Sequence, residues 1–227
     1  MGNMGLSGGF ISDAGLSFKI VCLHLLEMAY CEVRTTCSID KDWTENAISE
    51  ALKESINNNE ETVRMLATAE VEVRQLSVDL SMMPPKVDNA PRIDIKVGGF
   101  DTRKETPSRV CYYMEAKNLY ANDFQKTGHA GSVSSTYYAK RYISTGIEHL
   151  LSGYYPENTI LLGYVLVGTV QAAVDKVNQN LVNDFRGAES VNLQACAEYA
   201  TLVLGTSTHP NGMELDHCFL QFDAYGK

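Results

Sequence analysis

Asp94, Glu115, Ala116 and Lys117 are the residues of this chain whose types and spacing could do chemistry. Asp94 ends the run Pro91-Arg92-Ile93-Asp94, and twenty residues separate it from Glu115-Ala116-Lys117. If the two segments pair as neighbouring strands, alternation turns Asp94 away from Ile93 and Ile95. It also puts Glu115 and Lys117 on one face of their own strand. Two carboxylates and one ammonium then converge near the end of a sheet. At ~4 Å and an effective dielectric near 20, two such carboxylates repel by about 4 kcal/mol. A hard divalent cation removes that repulsion, and the Ala116 carbonyl can add an oxygen. Asp94, Glu115 and Ala116 are therefore the expected metal ligands, with Mg²⁺, or Mn²⁺ in its place, as the cofactor. A metal-bound water is a stronger acid, and Lys117 can orient it or stabilise developing charge, which suits phosphodiester hydrolysis.

The elements that must position these groups read as α/β. Apolar spacing predicts a helix over residues 13–33 and a second from Asp42 to Ile56, broken by Asn57-Asn58-Asn59. A short helix is expected within 60–69. From Val71 the period changes to that of a strand, through Val73, Leu76, Val78 and Leu80, stopped by Pro84-Pro85. Arg92–Val97 alternates as a half-buried strand ended by Gly98-Gly99, and Val110–Ala116 reads as its antiparallel partner, with the charges at its end. Ser132–Gly153 reads as a helix, and Thr159–Val167 as a strand buried on both faces. Thr169–Phe185 reads as an amphipathic helix, with late strands near Glu198–Thr206 and Glu214–Phe222. The order is ααβββαβαββ, in one domain over residues 1–227 with no linker.

Asp94 with Glu115-Ala116-Lys117 resembles the PD-(D/E)xK nuclease superfamily, whose restriction-endonuclease-like fold has an αβββαβ core. The resemblance spans about 42–167. It leaves 13–40 as a helical extension and 169–222 as an added helix and strands. Here Pro91 and Asp94 are separated by Arg92-Ile93, a departure from the literal Pro-Asp. Tyr138–Tyr155, Leu162-Gly163-Tyr164-Val165 and His217–Phe222 look like small bacterial nucleases of restriction and phage defence. The resemblance implies a Mg²⁺-dependent DNA endonuclease in the cytoplasm, with a homodimer or a defence-system protein as partner. It also implies a glutamate on the first core helix. Glu50, near the middle of that helix, is preferred over Glu45, which the helix dipole would favour in the first turn for stability alone. The alternative is a catalytically silent module of the same fold that binds nucleic acid or a protein within a larger complex.

Charge is distributed to match. The chain of 227 residues carries a net −9, which disfavours a general nucleic-acid coat. Residues 86–141, however, hold ten bases and six acids, a local +4, between segments of −7 and −6. Nine of the twelve tyrosines fall between Tyr112 and Tyr164. Aromatic groups beside basic ones can stack bases. Tyr138, Lys140, Arg141 and the loop pair Arg103-Lys104 are the expected substrate contacts, while Tyr142 and Tyr164 read as core. His129 could touch phosphate, and His209 and His217 read as structural. Six cysteines without a C-x-x-C pair read as thiols of a reducing cytosol. No apolar run is long enough to span a membrane, and the first residues lack the charge and apolar block of a secretory signal.

Overall fold

The computed structural model describes residues 13–74, 92–101, 108–156, 158–195 and 197–222. Its centre is a mixed sheet of seven strands flanked by helices. The strands are β1 (Thr68–Arg74), β2 (Arg92–Asp101), β3 (Ser108–Tyr120), β6 (Thr159–Val167), β7 (Asn192–Gln194), β8 (Val203–Thr208) and β9 (Glu214–Gln221), in the spatial order β1-β2-β3-β6-β9-β8-β7. A separate small hairpin joins β4 (Phe124–Gln125) to β5 (Ser132–Val133). β1, β2 and β3 are antiparallel in turn. β6 lies parallel to β3, and β9 parallel to β6.

Alternation along these strands divides the core into two layers. Ile160, Leu162, Tyr164 and Leu166 of β6 join one layer with Met114, Ala116, Cys218 and Leu220. Helices α1 (Asp13–Thr36) and α2 (Glu45–Asn58) cover that layer with Leu25, Leu26, Ile48 and Leu52. Leu161 and Val165 join Phe219 and Leu119 in the other, under α6 (Val170–Asn183) with Val174 and Val177. β6 is thus buried on both faces, as its unbroken apolar run predicts. Gly163 is needed there: a Cβ would stand 2.5 Å from Phe219 Cδ1 and 2.9 Å from Leu119 Cδ1.

Several boundaries differ from the sequence reading. β2 continues through Gly98-Gly99 to Asp101, because β3 pairs with it as far as Ser108 and Phe18 fills the space above Gly99. β3 continues to Tyr120, so Glu115 and Lys117 lie inside the strand rather than at its end. β1 starts at Thr68, with Glu72 in the left-handed region at φ 49°. Leu76, Val78 and Leu80 lie outside the described residues. α2 starts at Glu45 instead of Asp42, because Thr44 is its N-cap and accepts from the Ala47 N–H at 3.2 Å. A short α3 (Glu60–Arg64) follows. The long helix expected over Ser132–Gly153 is instead β5, α4 (Ser135–Arg141), a π-helical turn (Tyr142–Ile147) and α5 (Glu148–Leu151). Gly146 of that turn sits against Leu161, where a Cβ would come within 2.9 Å of Cδ1. The strand expected at Glu198–Thr206 is β8, and β7 pairs with it.

A buried polar chain crosses the second layer. Glu189 Oε2 lies 2.6 Å from His209 Nδ1, and His209 Nε2 lies 2.9 Å from Ser207 Oγ. Ser207 Oγ is 2.8 Å from His217 Nε2, and His217 Nδ1 is 2.8 Å from the Tyr142 hydroxyl. Burial holds the His217 pKa down to about 3, so its ring is neutral. One arrangement, built on the neutral His217 ring, satisfies every donor. Tyr142 donates to His217, His217 to Ser207, Ser207 to His209, and His209 to the carboxylate. Arg186 anchors the far end with two hydrogen bonds to Glu189, at 2.9 and 2.8 Å.

Candidate active site

The site forms where β2 and β3 separate. Ile95↔Met114 is the last residue pair of their ladder on this side. Beyond it, backbone groups of β3 that face β2 need other partners, because a buried N–H without one is costly. Two carboxylates supply them. Asp94 Oδ2 accepts the Ala116 N–H at 2.7 Å. Glu45 Oε1, from the first turn of α2, accepts the Asn118 N–H at 3.1 Å. The opening of the ladder therefore draws Asp94 and Glu45 to the strand that carries Glu115 and Lys117.

Glu115 and Lys117 are almost wholly buried, at 4 % and 5 % exposure. Two residues apart in β3, they share a face as alternation requires. The Lys117 ammonium donates to Glu115 Oε1 and, at 2.8 Å, to the Ala116 carbonyl. The Tyr155 hydroxyl also donates to Glu115 Oε1, at 2.8 Å. Glu115 Oε2 is buried with no hydrogen-bond partner. Burial, opposed by Lys117, pushes the Glu115 carboxyl above the usual carboxylate range. Burial and the neighbouring charge of Glu115 raise the Asp94 carboxyl to about 7. Burial raises the Tyr155 phenol, and the Glu115 carboxylate adds to that. Burial, with the Lys117 charge behind it, lowers His149, whose Nδ1 lies 3.5 Å from the Tyr155 hydroxyl.

The structure thus brings together Asp94, Glu115, Ala116 and Lys117. Glu50 is exposed on α2 and paired with Lys53 at 2.5 Å. Glu50 shares with Asp94 only the rim of an open pocket of ≈ 470 Å³, beside Glu72 and Ser49. Glu45 is the α2 glutamate that touches β3, and its charge acts on both Asp94 and Glu115. Its other oxygen lies 3.5 Å from Arg141 Nη2. Arg141 therefore faces inward to Glu45, whereas Lys140 is exposed on α4. Tyr138 packs edge-on against Tyr120 at 4.6 Å between centroids. Arg103 and Lys104 lie outside the described residues.

Tyr155 and Asn118 complete the site without having been singled out in the sequence. Asn118 fixes the entry to α2 through a 2.9 Å hydrogen bond from Nδ2 to the Trp43 carbonyl. Tyr155 follows α5 and Gly153, whose φ of 71° turns the chain back toward β3. A tyrosine after a glycine turn carries no such signal by spacing. Asn118 did have one, lying one residue beyond the E-x-K run on the opposite face.

Among the described residues, no group of three or more His, Cys, Asp and Glu side chains is placed to hold a metal ion. The donor chemistry of the pair Asp94 and Glu115 nevertheless fits a hard cation. Both are carboxylates, Glu115 Oε2 is an orphaned buried oxygen, and burial raises both pKa values, with the Glu115 charge adding to the rise at Asp94. Mg²⁺ uses few protein carboxylates and takes its remaining ligands from water and phosphate. Comparison of the chain with protein-family models, curated proteins and solved structures finds no match.

Proposed function

We propose that the chain is a metal-dependent nuclease of the PD-(D/E)xK type, with α2, β1, β2, β3, the following helices and β6 as its αβββαβ core. The observation that carries this reading is the convergence of Asp94, Glu115 and Lys117 at the fork between β2 and β3. Mg²⁺ or Mn²⁺, when bound, would acidify a water and screen the phosphate charge. Asp94 and Glu115 would hold it, with the Ala116 carbonyl as a third oxygen. The Ala116 N–H fixes Asp94, and Tyr155 fixes the Glu115 carboxylate. Lys117 is held by the Ala116 carbonyl, from which its ammonium can face a phosphoryl oxygen. DNA as substrate, a role in restriction or phage defence, and a second copy or defence protein as partner belong to the same reading. Plasmid incubated with Mg²⁺ and the full chain should be cleaved, and Asp94→Asn and Lys117→Ala should abolish cleavage. Equal cleavage by all three overturns the assignment.

A second reading, a catalytically silent nuclease-fold module, is favoured by one contact. The Lys117 ammonium already occupies two oxygens that a metal would use, Glu115 Oε1 and the Ala116 carbonyl. Calorimetric titration separates the readings. Mn²⁺ binding that disappears in Asp94→Asn supports the nuclease, and no binding supports the silent module.

A further inference from the structure

We propose that the β4–β5 hairpin and the outer face of α4 form a subsite for unpaired nucleotides, in which Tyr137 stacks a base and Lys126, His129 and Lys140 face phosphates. This names the substrate class of the proposed nuclease site and rests on that reading.

Four aromatic rings run in contact from the core to the surface. Phe124 stacks on Tyr120 at 4.3 Å, Tyr120 meets Tyr138 at 4.6 Å, and Tyr138 meets Tyr137 edge-on at 5.4 Å. The first three are held by one another. Tyr137 ends the series with 59 % of its surface exposed, so its position is supported from behind while much of its ring meets solvent. An exposed tyrosine ring offers a large flat face at the cost of ordering only two side-chain torsions. It lines an open pocket of ≈ 440 Å³ together with Lys126, His129, Ser132 and Tyr138.

Charge complements the platform. Lys126 and His129 border it, and Lys140 is exposed on the same helix as Tyr137. Two nearby carboxylates are held by hydrogen bonds that lower their pKa values and keep them charged. Asp42 accepts the Thr127 N–H at 3.1 Å, and Asp123 accepts the Ser135 N–H at 2.8 Å. The combination of cationic groups with an aromatic face is that of single-strand binding. Bases within a duplex are already stacked and cannot offer a face to Tyr137, so an unpaired strand is the occupant that fits. Tyr120 ties the platform to Glu45: its hydroxyl accepts from Asn118 Nδ2 at 3.4 Å, and the Asn118 N–H donates to Glu45 Oε1, while Glu115 and Lys117 lie on the other face of β3.

The test is fluorescence anisotropy on the full chain in EDTA at low salt. The probes are short labelled oligothymidylate, oligouridylate and a duplex of the same length. Oligothymidylate or oligouridylate should bind more tightly than duplex. Tyr137→Ala should weaken that binding at least about fivefold, and Tyr137→Phe should keep it, because the ring face rather than the hydroxyl does the stacking. Preference for one of the two single strands identifies it as the source of the nucleotides. Unchanged binding in Tyr137→Ala, loss in Tyr137→Phe, or duplex binding as tight as either single strand overturns the subsite. Asp94→Asn should bind the single strand as the parent chain does while losing Mg²⁺-dependent cleavage. Tyr137-dependent binding without cleavage by the parent chain would leave the subsite standing and remove the nuclease reading. Cleavage without Tyr137-dependent binding would do the reverse.

Discussion

Asp94 serves as a backbone partner as well as a charge: its Oδ2 accepts the Ala116 N–H at 2.7 Å, next to the last β2–β3 residue pair. Its alanine and asparagine variants should therefore differ. Asp94→Ala leaves a buried N–H unpaired, a cost of about 1–3 kcal/mol. Asp94→Asn keeps an acceptor and removes the repulsion from Glu115. Urea denaturation at about pH 8 should place Asp94→Asn above Asp94→Ala by at least ~1 kcal/mol. Equal midpoints and slopes would exclude the backbone role.

Asp94 and His217 respond to acid in opposite directions. The Asp94 pKa is raised from 3.8 to about 7, so between those values the folded chain binds a proton that the unfolded chain releases. Its contribution to stability therefore falls as pH rises through that window. The His217 pKa is lowered from 6.5 to about 3, so between those values the unfolded chain binds the proton, and this contribution falls as pH drops. The two slopes offset each other over about pH 4 to 6.5. Asp94→Asn removes one of them. Its stability relative to the parent chain should improve with rising pH from about 4 to 7, by up to ~1.4 kcal/mol per unit. Denaturation series at several pH values measure this, and a difference independent of pH refutes it.

Lys117 is the cation that balances Glu115 inside β3. Removing one partner of a buried pair costs about 3–5 kcal/mol, because the remaining charge is uncompensated. Lys117→Met should thus be strongly destabilised at about pH 8 and recover as the pH falls and Glu115 takes up a proton. If the carboxylates accept a divalent cation, Mn²⁺ should raise the melting temperature of Lys117→Met more than that of the parent chain. A variant as stable as the parent at high pH would mean the pair contributes nothing.

Gly163→Ala should cost about 1–3 kcal/mol by overpacking, since the new methyl group meets Phe219 at 2.5 Å and Leu119 at 2.9 Å. Ser207→Ala should cost a similar amount by a different route, leaving two imidazole nitrogens without partners. The two losses can be told apart by a second change. Phe219→Leu should relieve Gly163→Ala and leave Ser207→Ala unimproved, as denaturation midpoints would show.

The element order was legible in the sequence because each core strand has a strong local pattern. Thr159–Val167 is apolar throughout and is buried on both faces, and Tyr142 and Tyr164 are fully buried as their apolar surroundings indicate. That Glu115 and Lys117 share a face was legible from alternation, whereas Asp94 reaches them where β2 changes face, with Ile93 in the second layer and Ile95 in the first. Which glutamate of α2 meets β3 was not legible. Glu50 and Glu45 differ in a tertiary property, which of them meets the unpaired Asn118 N–H, and no local pattern encodes it. The π-helical turn was equally hidden, since Tyr142–Ile147 keeps the apolar spacing of an ordinary helix. Its extra residue per turn becomes meaningful only with His217 and Leu161 in place against it. The buried chain through Ser207 joins residues from four separate segments, and neither histidine signals it by spacing.

The place of β9 sets an order of events during synthesis. β6 emerges from the ribosome with β3 already available on one side, but its other neighbour, β9, follows only after α6, β7 and β8 have been made. Until then one edge of the most apolar strand is open, Gly163 has no Phe219 above it, and the Tyr142 hydroxyl has no imidazole to hydrogen-bond with. Such an edge is the kind that recruits strands from other chains. A nascent chain stalled before Glu214 should therefore be a client for chaperones, and pairing of β9 with β6 should be the step that closes this edge.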